Sequence, residues 1–373
     1  MGLVLVCLHS SAWALDTVVW KPTPDAPERT SVGKTLAVTQ DKGVLLLERS
    51  GEIQAIEPQM IVKATRNSQE FQPFTQDEMA KEFLQRLPQG FQVLKTDHYT
   101  IFYETTPEYA RWCGTLLERL YDSFSQFSTK QELKLPEPEF PLVVVMFANV
   151  KNYRAFSREE LSSFDSSVIG YYSFQTNRMV CYDLSGEETY TEHRPSATKS
   201  KIHRQILKRP EALKQVATLI HEATHQLAYN RGISVRYGDT PLWFNEGLAL
   251  YFETPDAHNK DGWKSVGKIN PLRIGTVRKA LPNWRSGTLE ALITNDALLR
   301  ESATAEQSYA NAWALTWFLI KTRRDQYAQY IQTINQKKPL FWDKPEDRLK
   351  DFEDAFGPIE KLEKAFVRYM SRK

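Results

Sequence analysis

The chain has 373 residues, enough for a sizeable core and two or three structural units. Its hydrophobic content of 41% and charged content of 25% are those of an ordinary globular protein. A formal net charge of +2 gives bulk charge no claim on nucleic acid, and no later run reaches the roughly 18 apolar residues of a membrane span.

Residues 1–14 read as a signal peptide. Gly2 to Leu8 are apolar, and Ala12-Trp13-Ala14 has the small-x-small pattern of a secretory cleavage site, so the expectation is an exported protein, periplasmic or secreted. Its removal leaves Cys113 and Cys181, expected as two buried free thiols, with no spacing that suggests a cysteine metal site.

Residues 15–34 read as a linker, with Pro22, Pro24 and Pro27 in a charged stretch. Between 35 and 66, short apolar runs are punctuated by Asp41-Lys42-Gly43 and Ser50-Gly51-Glu52, which predicts a small β module. The spacing of Met79, Phe83, Leu84 and Leu87 behind a capping Thr75, with Glu78 three residues on, predicts a helix over 75–87. A strand over 98–104 and a helix over 107–127 follow, the helix striped by Leu116, Leu117, Leu120, Phe124 and Phe127. The run 142–148 is continuously apolar and rich in β-branched residues, as a strand buried on both faces would be. A short helix over 152–158 and a hairpin around Gln175-Thr176-Asn177 complete this part.

Residues 185–209 are polar, and from Glu192 to Arg209 they carry six Lys or Arg against one acid. A segment of that length without periodicity is a solvated loop or a lid over a cleft. The next helix begins near Pro210, ends before Gly232 and has Leu213, Val216, Ala217, Ile220, Thr224 and Leu227 as its apolar stripe. A second helix starts at Thr240-Pro241, a capping residue followed by proline. Downstream, 309–320 reads as a buried helix closed by Lys321, Arg323 and Arg324, and 346–356 and 359–369 as two more. The predicted organisation is a catalytic domain over 75–260 and a helical subdomain over 261–373.

The first of the paired helices carries His221-Glu222-Ala223-Thr224-His225. Residues four apart share a helix face, so His221 and His225 can offer nitrogens to one ion, with Glu222 beside them and not ligating. A catalytic zinc usually takes three protein ligands and leaves a position for water. Glu246 is the candidate third ligand: it sits in a segment apolar nearly all round, where a lone carboxylate is costly unless it neutralises, pairs or binds metal. Two helix-surface histidines remain the alternative for the five-residue motif taken alone.

These residues resemble the gluzincins, zinc peptidases in which H-E-x-x-H is followed by a glutamate on a later helix, as in thermolysin-like enzymes and zinc aminopeptidases. His221, Glu222, His225, Asn245, Glu246 and Gly247 stand in the motif positions. The order of the pieces is also similar to a family of exported bacterial proteins of undescribed function. The shared pieces are H-E-x-x-H-Q (221–226), W-x-x-E-G-x-A (243–249), Tyr-x-x-Ala-Trp-Ala-Leu (309–315) and F-G-x-x-x-x-L-E (356–363). The resemblance implies an α+β fold, a thermolysin-like catalytic domain with a mixed sheet, and Zn2+ held by His221, His225 and Glu246.

It also implies hydrolysis of a peptide or amide bond, with Glu222 as general base on the metal's water and Tyr309 as a donor to the oxyanion. One departure stands out. Leu250 occupies the place where thermolysin-like enzymes carry an aspartate that orients a zinc histidine, and Glu253 is the candidate substitute, with Asn245 a second residue supporting the ligands. The strand with Arg178, Met179 and Val180 is the candidate sheet edge for an extended peptide. The Gly-x-Met-Glu-Asn segment of zinc aminopeptidases is missing, which favours an endopeptidase. The expected partner is a peptide or protein substrate. Two alternatives stay open: a binding protein with a structural metal, and an amidase acting on cell-wall peptide.

Overall fold

The structure is a computed structural model, and it describes residues 15–161, 168–183, 212–254, 263 and 266–373. The signal peptide read over 1–14 and the basic segment read over 185–209 lie outside the described residues.

The N-terminal part is an antiparallel sheet of five strands: β1 (Leu15–Trp20), β2 (Arg29–Val38), β3 (Val44–Glu48), β4 (Ile53–Ile56) and β5 (Ile61–Asn67), in the order β4-β3-β2-β1-β5. This corrects the linker expected over 15–34. Leu15-Asp16-Thr17-Val18-Val19-Trp20 alternates between half-buried and buried positions, as one face of a sheet requires. Only the proline-rich 21–28 connects strands. Lys42 and Gly51 adopt positive φ of 73° and 85° in the β2–β3 and β3–β4 turns, where the chain reverses within a few residues. Asp16, on β1 between β2 and β5, accepts from Arg66 of β5 and from Thr35 of β2, tying three strands together.

The second sheet is mixed. Its strands are β6 (Gln92–Lys95), β7 (Tyr99–Tyr103), β8 (Leu142–Phe147), β9 (Gly170–Ser173) and β10 (Arg178–Tyr182), in the order β6-β7-β8-β10-β9. β7, β8 and β10 run parallel, with β6 and β9 antiparallel at the two edges. Alternate residues of β8 enter different cores: Leu142, Val144 and Met146 face one, and Val143, Val145 and Phe147 the other. The smaller core is closed by α1 (Gln76–Leu84), which has a capping box between Thr75 and Glu78, and by α3 (Val150–Glu160). The larger core takes α2 (Pro107–Lys130) and then the rest of the chain.

That remainder is helical: α4 (Ala212–Asn230), α5 (Leu242–Phe252), α6 (Pro271–Ala280), α7 (Thr288–Thr294), α8 (Ala297–Arg300), α9 (Ala305–Thr322), α10 (Arg324–Asn335), α11 (Pro345–Phe356) and α12 (Ile359–Met370). The protein is therefore α+β, with an N-terminal sheet and a helical C-terminal part. α5 is covered on all sides, with Trp243 and Phe244 packed on Tyr330 and Trp243 also on Phe352. Gly247 lets α9 come close, because a Cβ there would lie 2.2 Å from Thr316 Oγ1 and 2.8 Å from the Ala312 carbonyl oxygen. No helix among the described residues is long and apolar enough to cross a membrane.

Candidate metal centre

α4 crosses between the second sheet and α5, and this sets the site. Its apolar stripe sits in the core (Val216, Ile220, Leu227), and Gln226 donates to the carbonyls of Val143 and Asn177. The helix stops at Gly232, whose φ of 69° turns the chain so that Ile233 N–H reaches back to the Ala228 carbonyl. His221 is then half-buried and His225 buried.

α5 brings Glu246 against them. Thr240 does not cap this helix, in contrast to the sequence expectation. The Leu242 N–H donates to Asp296 Oδ1 at 2.9 Å, and Asp296 is held by Arg348 at 3.1 Å. Arg348 also makes a two-pronged pair with Asp239, so the position of α5 is fixed by residues far away in sequence.

The three side chains meet. His221 Nε2 lies 3.1 Å from Glu246 Oε2 and 3.1 Å from His225 Nε2, and His225 Nε2 lies 3.7 Å from Glu246 Oε1. Atoms held about 2.0–2.1 Å from one ion at tetrahedral angles lie roughly 3.3–3.4 Å from each other, which is the spacing here. His221, His225 and Glu246 could therefore hold a metal ion.

The hydrogen-bond chemistry points the same way. His221 Nδ1 lies 2.8 Å from Glu253 Oε2, and a carboxylate there can only accept, so Nδ1 carries the hydrogen. In neutral His221, Nε2 then presents a lone pair to the Glu246 carboxylate. A cation at that point turns this repulsion into coordination. Without metal the ring takes up a proton instead: burial opposes the imidazolium, yet Glu246 and Glu253 together raise the pKa of His221 well above its usual value. Burial likewise works against ionised Glu246, and the two imidazoles overrule it, holding that carboxyl well below the usual range.

Glu253 follows the last turn of α5 and is held by a 3.3 Å bond from Asn270 Nδ2, with Arg273 at 3.9 Å. Glu222 points from α4 to the edge of the sheet, where its Oε2 accepts from the Tyr172 N–H at 3.0 Å. Burial raises its pKa against the pull of His221 and His225. Tyr309, at the start of α9, is half-buried. Burial and then the charges of Glu246 and Glu222 raise its pKa, and Arg273 lies 5.8 Å from its ring centroid. Asn245 Nδ2 donates to the Tyr229 hydroxyl at 3.5 Å.

Arg178, Met179 and Val180 are not at an edge. β10 is paired on both sides, by β8 and β9, and these three residues are buried, with Arg178 bonded to Glu52 at 2.7 Å. A strand of apolar residues is what an interior position demands, and the run Met179-Val180-Cys181 already met that description. The edge beside Glu222 is β9, with Tyr172. Cys113 and Cys181 are both buried free thiols, and burial pushes Cys181 up to about 12.

Four participants escaped sequence reasoning: Tyr172, Tyr229, Asn270 and Arg273. Tyr229 carried a readable signal, since it lies four residues after His225 on the same helical face. The other three come from separate elements, and nothing local marks them.

Residues 215–341 match a family model described as a protein of unknown function, DUF1570. The matched stretch contains His221, Glu222, His225, Glu246, Glu253, Asn270, Arg273 and Tyr309, but neither sheet. The chain is thus similar to that family over the two helices that carry His221, His225 and Glu246 and over part of what surrounds them. No curated protein matches the chain.

Proposed function

We propose that the protein is an exported zinc-dependent hydrolase of peptide or other amide bonds, with a thermolysin-like catalytic part. The observation that carries this reading is the convergence of His221, His225 and Glu246 from two helices, with Glu222 beside them and tied to a sheet edge. Three nitrogen and oxygen ligands suit a catalytic zinc, whereas a closed structural site normally takes four protein ligands. That is what weighs against a binding protein with a structural metal.

A zinc ion held there would supply a Lewis acid for a carbonyl oxygen and lower the pKa of a water. The chain's own residues do the rest. The Tyr172 N–H fixes one oxygen of Glu222, leaving the other to take a proton from the attacking water and return it to the departing nitrogen. The raised pKa of Glu222 suits that exchange, because a group that must both accept and donate works best near the ambient pH. Tyr309 is the donor to the oxyanion.

β9 replaces β10 as the substrate strand. In an antiparallel pair the N–H and C=O of one residue point to the same side, so the Tyr172 carbonyl also faces outward from β10. An extended peptide can pair there through its main chain, which gives affinity without sequence preference and suits an endopeptidase.

The experiment is metal analysis of the purified protein together with Glu222→Gln, assayed beside wild type on a broad peptide library and on cell-wall peptide. The hydrolase reading expects bound zinc in both forms and cleavage by wild type alone. Zinc bound by both with no cleavage of either substrate would select the binding protein. Cleavage of cell-wall peptide alone would select the amidase.

A further inference from the structure

Beside the ligand-bearing face of α4 runs a second polar row. Glu222, Gln226 and Asn230 are spaced four apart and so share one face of the helix, and each of them meets the β9–β10 hairpin. Glu222 accepts from the Tyr172 N–H on β9 at 3.0 Å. Gln226 donates to the main-chain carbonyl of Asn177 at 3.3 Å. Asn230 makes two hydrogen bonds with the Asn177 side chain, giving one from Nδ2 at 2.7 Å and receiving one at Oδ1 at 2.9 Å. Gln226 and Asn230 thus both end on Asn177, the last residue of the turn before β10.

Asn177 is buried and left-handed, with φ of 58°. Its Oδ1 also accepts from the Tyr172 hydroxyl at 2.7 Å. Asn230 Nδ2 donates to the Gln226 carbonyl at 2.8 Å, which fixes the orientation of the Asn230 amide and, through the paired bonds, that of Asn177. Gly51 of the N-terminal sheet lies against the same side chain, since a Cβ there would be 3.1 Å from Asn177 Nδ2. Glycine would take a left-handed φ with less strain than asparagine does. What asparagine adds is three side-chain hydrogen bonds, and they run to β9 and α4, the two elements that meet at Glu222. Resting on the hydrolase reading above, we propose that Asn177 is a positioning residue: it locks β9 to α4 so that Glu222, the base of that reading, keeps the orientation its bond to Tyr172 gives it.

The test compares full-length wild type with Asn177→Gly, which suits the turn and deletes the amide, and with Tyr172→Phe, which removes only the hydroxyl bonded to Asn177. Zinc content, peptide-cleavage kinetics and residue-resolved amide exchange in β9 are read on each. The expected result in both variants is wild-type zinc content and KM, with kcat lowered about 10- to 100-fold, the scale of a reacting group misplaced by about 1 Å. The Tyr172 amide is expected to exchange about tenfold faster, as for one weakened hydrogen bond. The amides of Tyr171 and Ser173, which alternation turns toward β10, should keep their rates. A turn that had only come loose would free all three amides together, and that outcome would overturn the inference. So would an unchanged kcat, a loss confined to KM, or a fall in zinc content, because Asn177 would then serve the strand or the ligands and not Glu222. Should Asn177→Gly fail to fold, the same readings on Tyr172→Phe decide. Absence of cleavage by wild type is a separate outcome, seen before any variant is compared, and it removes the hydrolase reading together with this one.

Discussion

His221 donates through Nδ1 to Glu253 at 2.8 Å, and Glu253 is in turn held by Asn270 at 3.3 Å and faced by Arg273 at 3.9 Å. This chain of contacts fixes which nitrogen of His221 is free for an ion and which way the ring faces. Glu253→Gln keeps the shape and loses the charge, so the ring can be oriented wrongly or held less firmly. It is expected to weaken zinc binding by about 10- to 100-fold, measured by competition with a chromogenic chelator. Unchanged affinity would show that the contact does not tune the ligand.

Tyr309 stands close enough to Glu246 and Glu222 to feel both charges, and the proposed ligand set of His221, His225 and Glu246 does not call on it. Tyr309→Phe is therefore expected to leave zinc content intact and lower kcat by about 100-fold or more, the usual effect of deleting one oxyanion donor. Peptide cleavage kinetics beside metal analysis give the answer. A loss of zinc, or an effect confined to KM, would move Tyr309 out of that role.

Gly247→Ala tests how α5 is held. The new methyl would meet Thr316 Oγ1 at 2.2 Å and the Ala312 carbonyl at 2.8 Å, and the second of these is backbone that cannot rotate away. The helices must part, at a cost of about 1–3 kcal/mol as for other overpacked cores, and Glu246 moves with its helix. Urea denaturation should show the lost stability, and chelator competition should show weaker zinc binding in the same protein. A variant as stable as wild type would mean that α5 and α9 have more freedom than their packing implies.

The N-terminal sheet has its own pH signature. Burial acts to raise the pKa of Asp16, but hydrogen bonds from Arg66 and Thr35 outweigh it and the pKa is lowered. A carboxyl with a lower pKa in the folded than in the unfolded state adds stability above its unfolded value of about 4, and that stability drains away as pH falls through the folded value. Asp16→Asn should cost about 1–2 kcal/mol at neutral pH and flatten the stability profile below about pH 4, read from thermal melts across a pH series. A parallel profile in the variant would assign the acid sensitivity elsewhere.

Much of the candidate metal site is legible in the sequence because its rules are local. His221 and His225 share a helix face by spacing alone, and Glu246 stood out as the one carboxylate among Trp243, Phe244, Leu248 and Leu250. The strand β8 showed itself through an unbroken apolar run that both sheet faces explain. What was hidden depends on contacts between distant residues. The cap of α5 comes from Asp296, 54 residues beyond Leu242, and no local pattern announces it. The choice between β9 and β10 as the sheet edge depends on strand order, which alternation cannot supply, and Arg178–Tyr182 lies within the sheet. The strand β1 is masked in the sequence by the prolines at 22, 24 and 27, although alternation runs from Leu15 to Trp20.

The most direct measurement is the zinc content of wild type and Glu246→Gln, purified without chelator, incubated with zinc and desalted. The account predicts about one zinc ion per chain in wild type and little or none in the variant, whose amide cannot replace the carboxylate between two imidazoles. Equal zinc in both proteins, or none in either, would contradict it.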